Sequence, residues 1–163
     1  MDSKKQNHEE MKKGNYTRFV LMLVASFIAM YITMYLNTYS IDHVYFSLTR
    51  FYMSCLGIAA MAIIMFVAMR GMYNNKKKNI AIVLGSIAFF VIALGLVRDQ
   101  KSTVGDVLWM KAMIPHHSIA ILTSERADIQ DSEVRKLAND IIEAQKKEIE
   151  EMKAMIERLQ NEK

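Results

Sequence analysis

The sequence predicts an all-α protein: three membrane-crossing helices, then an antiparallel two-helix hairpin that pairs with a second copy into a four-helix bundle. Three observations carry this reading. Residues 19–36, 51–69 and 80–97 are apolar stretches without a charged side chain. Residues 98–163 are dense in charge, yet their apolar residues recur at helical spacing. Only one proline interrupts the 163 residues.

Each apolar stretch, at 1.5 Å per residue, is about as long as the roughly 30 Å hydrocarbon layer is thick. Backbone groups find no water there, so each is expected to be helical. The first could pass for a signal peptide, since Lys4, Lys5, Lys12, Lys13 and Arg18 precede it. It is longer than a signal core, however, and Met34-Tyr35-Leu36-Asn37-Thr38-Tyr39 offers no small-x-small cleavage site. It reads as a retained anchor.

Loop charges set the expected orientation. The tail, residues 1–18, carries five Lys/Arg, the first loop only Arg50, and the second Arg70, Lys76, Lys77 and Lys78. The tail is therefore expected inside and residues 98–163 outside. Tyr35, Tyr39, Tyr45 and Phe46 would form an aromatic belt at the outer interface, and His43 reads as a polar loop residue. Met22, Met30 and Met34, with Met61, Met65 and Met69, are spaced like a thioether ladder, although methionine also serves as plain packing.

Charge divides the chain. Residues 1–97 carry ten Lys/Arg against four Asp/Glu, and residues 98–163 eleven against thirteen. The outer half has no basic stripe to suit nucleic acid. A lone Cys55 permits no intrachain disulfide.

In that half, one helix is expected over Thr103–Arg126, capped by Ser102 or Thr103, and a second from Asp131 or Ser132 to Gln160. The second repeats Ala138, Ile142, Gln145, Ile149, Met152, Ile156 and Leu159 at four-three spacing, a coiled-coil-like seam. Pro115 should kink the first helix or break it in two. Met110, Met113, His117 and Ala120 share a face, with His116 at its flank. Thioethers beside imidazoles suit copper, above all Cu(I). Two such helices enclose little core, so a homodimer is expected.

Met113-Ile114-Pro115-His116-His117-Ser118-Ile119-Ala120-Ile121, followed by Gln145-Lys146-Lys147-Glu148-Ile149-Glu150-Glu151-Met152, resembles the two motifs of the family called domain of unknown function 305. The resemblance covers residues 103–159 and leaves the spans out. It implies a ferritin-like helical fold, export or membrane attachment, and a role in copper binding and resistance. By position, Met113, His116, His117 and Met152 would be the ligands, Gln145 and Glu148 their hydrogen-bonding partners, and Met110 a further donor. Thr123 stands where the family usually has methionine. The family often carries the two-helix unit twice, which a homodimer of this chain would restore.

The expected protein is thus a copper-binding protein of a bacterial plasma membrane, with lipids and its own copies as partners. The alternative is a membrane-anchored structural oligomerisation module without metal. A di-iron oxidase needs Glu-x-x-His pairs, and the chain offers Met113-x-x-His116 instead. No Ser–His–Asp pattern, phosphate loop or dinucleotide fingerprint is visible, so no enzyme is expected.

Overall fold

A computed structural model describes the backbone of residues 2–162 and the side chains of residues 15–162. The side chains of Lys4, Lys5, Lys12 and Lys13 lie outside the described residues. Among the described residues the protein is helical without strands: α1 (Asp2–Thr33), α2 (Leu48–Ala68), α3 (Lys76–Arg98), α4 (Asp106–Arg126) and α5 (Ser132–Asn161). The chain divides into two compact units. One holds residues up to Tyr31 with Phe51–Asp99, the other Ile32–Arg50 with Gln100–Lys163.

In the first unit, Asn15–Thr33, Leu48–Ala68 and Lys76–Arg98 are helical segments long and apolar enough to cross a membrane, the second and third beginning and ending at the helix bounds. α1 stops three residues before the apolar stretch does, and tight turns follow, with Leu36 N–H bonded to the Thr33 carbonyl. α2 begins earlier than the apolar run, because Ser47 accepts the Arg50 N–H at 3.2 Å. α3 likewise gains a basic first turn through Asn75, whose side chain accepts the Lys78 N–H. Both extensions are side-chain caps on otherwise orphaned helix-end amides. Phe19, Ala62, Phe66 and Tyr73 form the buried centre of this unit. Met65 and Met69 pack against it, whereas Met61 is exposed.

The second unit is built on α4 and α5. Asp131 caps α5 by accepting the Glu133 and Val134 amides at 2.9 Å. Arg135 donates to the carbonyls of Ser124 and Ala127, groups that the end of α4 leaves without helical partners. α4 starts at Asp106 rather than Thr103, because Gly105 is extended and residues 100–104 form a separate turn. The helix runs unbroken through Pro115, which is buried. The loss of one hydrogen bond is tolerated in a helix whose Met110, Ile114 and Ile121 are buried in one cluster with Ile149, Met152 and Ile156.

This core has a cover that the hairpin reading lacked. Residues 39–47, which follow α1, strap across α4 and α5, and Tyr45 packs on the core cluster. The Tyr39 N–H donates to Ser118 Oγ at 2.7 Å. Lys153 Nζ lies 2.6 Å from Asp42 Oδ2 and 3.0 Å from Glu150 Oε1.

Candidate metal site

The one-turn spacing of Met113 and His117 on α4 brings an imidazole back over its own helix. His117 Nδ1 lies 2.9 Å from the Met113 carbonyl oxygen. A carbonyl can only accept, so Nδ1 carries a proton and Nε2 is the nitrogen left for other chemistry. Nε2 faces Glu148 Oε2 at 2.8 Å, across from α4 to α5. Gln145, one turn earlier on α5, donates to the same carboxylate oxygen at 3.3 Å.

The row Met113 carbonyl, His117, Glu148, Gln145 has two chemical states. With a proton on Nε2 it is an imidazolium–carboxylate pair. With a metal ion in place of that proton, His117 is a ligand whose other nitrogen is fixed by a backbone carbonyl, the usual support of a metal-bound histidine. That support comes from Met113 rather than from Glu148. Glu148 instead occupies the side of the ring where an ion would sit.

His116 is exposed, and its ring centre is 6.1 Å from that of His117. Met152 and Met110 belong to the apolar core, and Met113 sits half-buried at its edge. Among the described residues no three His, Cys, Asp or Glu side chains converge as an ion's cage. Thr123 is exposed, its hydroxyl bonded back to the Ile119 and Ala120 carbonyls.

The sequence reading passed over His43. It is buried, not a free loop residue, with Nδ1 3.0 Å from Ser118 Oγ and Nε2 3.6 Å from Asp42 Oδ2. Ser118, His43 and Asp42 thus stand in a row that no local motif reveals, because 75 residues separate the serine from the histidine. Ser118 is fully buried and already accepts the Tyr39 amide, so the row fastens the strap and offers no open nucleophile. Burial pushes the His43 ring below the usual histidine range, and Lys153 adds to this, against Asp42 and Glu150. The Lys153 and Ser40 hydrogen bonds hold Asp42 well below the usual carboxylate range. Burial pulls Lys153 down, but its bonds to Asp42 and Glu150 outweigh that and leave it raised.

Residues 94–163 match the model of a family described as domain of unknown function (DUF305). Over 152 residues the chain is 33% identical to "Uncharacterized protein L153" of Acanthamoeba polyphaga mimivirus, an alignment covering 90% of this chain and 97% of the viral protein. That similarity includes the apolar helices, which the family model omits. No solved structure matches the chain.

Proposed function

This chain belongs to the DUF305 family through residues 94–163, and from that premise we propose that it is a membrane-anchored, non-catalytic protein that binds copper, as Cu(I), in its second unit for copper homeostasis or resistance. The observation that carries the reading is His117: one nitrogen locked by the Met113 backbone carbonyl, the other 2.8 Å from the Glu148 carboxylate. Imidazole and thioether are donors that suit copper. Met113 and His117 are the principal ligands in this reading. His116, Met152 and Met110 are the further donors in this reading.

The three apolar helices anchor the chain, with the basic tail inside and the second unit outside. The strap supports that path, since residues 39–47 follow the first apolar helix, α4 follows the third, and the two segments pack within one unit.

A second reading has its own support. Met110 and Met152 pack among isoleucines, and His117–Glu148 is a complete ion pair without metal. In that reading the unit is a structural oligomerisation module.

Anaerobic titration of the full chain in detergent with Cu(I), against a competing chelator, separates the two. The full chain is required because a fragment starting near Asp99 would lack the strap. Copper binding that survives in His116→Ala and disappears in His117→Ala is the expected result. Equal affinity in parent and His117→Ala would leave the structural reading standing.

A further inference from the structure

α5 carries a second apolar stripe, distinct from the seam it uses against α4. Val134, Leu137, Ile141 and Met155 are 49, 59, 36 and 46% exposed, and Ala144 is exposed between them. They fall on positions 134, 137, 141, 144 and 155 of a four-three heptad register, in which Glu148 and Glu151 take the a and d positions between Ala144 and Met155. The stripe extends roughly 32 Å at 1.5 Å per residue. The apolar pattern is unbroken over 134–144 and resumes at Met155.

The residue types specify the partner. Val134 and Ile141 are β-branched at the a position, and Leu137 is leucine at d. That choice favours two parallel strands. Parallel pairing of the stripe with itself places equivalent residues opposite one another. The a position after Ile141 is Glu148, the residue facing His117 Nε2.

Two Glu148 carboxylates would then meet at the two-fold axis, where like charges repel. A cation makes the two surfaces complementary. Each copy alone offers one imidazole and one carboxylate, too few for a closed site, and among the described residues no further His, Cys, Asp or Glu converges. Two copies offer two of each, the four nitrogen and oxygen donors that suit a borderline divalent ion such as Zn²⁺.

We propose that two copies of this chain pair in parallel through Val134, Leu137, Ile141 and Ala144 of α5, and that His117 and Glu148 of both copies form a shared divalent-cation site on the two-fold axis. The proposal rests on the reading of His117 as a metal-binding residue. The ion takes the place of the proton on each His117 Nε2, and the stripe sets the register. Binding and dimerisation are therefore one linked equilibrium.

The test uses the metal-stripped full chain in detergent, with mass measured by sedimentation and bound metal measured directly while Zn²⁺ is added. Zn²⁺ should tighten the dimer about tenfold or more, at one ion per two chains. Glu148→Gln should lose the response to Zn²⁺, because it removes a ligand from each copy. Leu137→Glu, a change at an exposed position, should stay monomeric with or without Zn²⁺, and Trp109 fluorescence checks that each variant is folded. One Zn²⁺ per monomeric chain would overturn the pairing and leave metal binding intact. A dimer of equal strength with and without Zn²⁺ would overturn the shared site. A chain that takes neither Zn²⁺ nor Cu(I) would overturn this proposal together with the metal-binding reading beneath it.

Discussion

Replacing Ser118 with alanine should loosen the second unit far more than the loss of one oxygen suggests. Ser118 is fully buried on α4, and its hydroxyl serves two partners on the strap. It accepts the Tyr39 amide at 2.7 Å and lies 3.0 Å from His43 Nδ1. Removing it leaves a ring nitrogen of a residue only 8% exposed without its partner. A buried polar group left unsatisfied costs about 1–3 kcal/mol. Tyr39 is itself exposed, so water replaces much of what its amide loses. The sum is about 2–3 kcal/mol.

In a unit of this size each kcal/mol moves the melting temperature by roughly 4–8 °C. Ser118→Ala should therefore melt about 8–24 °C below the parent. The chain has one tryptophan, Trp109, and it lies on α4, so its fluorescence follows this unit. Thr123→Ala is the control: its exposed hydroxyl only bonds back to its own helix, and the change should stay within about 0.5 kcal/mol. If Ser118→Ala melts with Thr123→Ala, the strap is not held by this serine and the reasoning fails.

Acid should destabilise the second unit in two stages. The His43 ring is depressed by burial, so its contribution is complete above the ordinary value of 6.5 and declines as pH falls below it. Asp42, held down by Lys153 and Ser40, adds a loss that begins only below its ordinary 3.8. Trp109 melts between pH 8 and pH 5 should fall with acid in the parent, and His43→Gln should flatten that slope. Ile114→Ala, at a residue with no exposure, should cost about 2–5 kcal/mol, whereas Ile141→Ala on the exposed stripe should cost the monomer under about 1 kcal/mol; denaturant melts of monomeric protein compare them. Asp131→Ala removes two capping bonds from α5 and should cost about 1 kcal/mol, measured in the same way.

The helices were legible because their signals are local. Uncharged apolar runs and a four-three repeat report on neighbours within a few turns, and the Asp131 cap sits beside the amides it satisfies. Boundaries slipped where a single residue decided them: the Ser47 and Asn75 side chains lengthened α2 and α3, and the extended backbone of Gly105 delayed α4. The facing of His117 and Glu148 could be anticipated from an antiparallel hairpin. The assignment of their roles could not, because it turns on which ring nitrogen meets the Met113 carbonyl. Met110 and Met152 pack in the apolar core, and helical spacing alone does not tell a core residue from a ligand on the same face. The strap was invisible, because no short-range pattern links Tyr39 and His43 to Ser118, or Asp42 to Lys153.

That strap also dictates an order of events during synthesis. Residues 39–47 leave the ribosome long before the groups they bind. Tyr39 must wait for a serine 79 positions later, and Asp42 for a lysine 111 positions later. At 5–20 residues per second, the wait for Lys153 is on the order of 6–22 s. During that interval a buried-type histidine and its neighbours stand in solvent with nothing to close upon. The second unit therefore cannot reach its final form until α5 is almost complete, and a nascent chain stalled before that point would present an open strap to whatever surveys unfinished proteins.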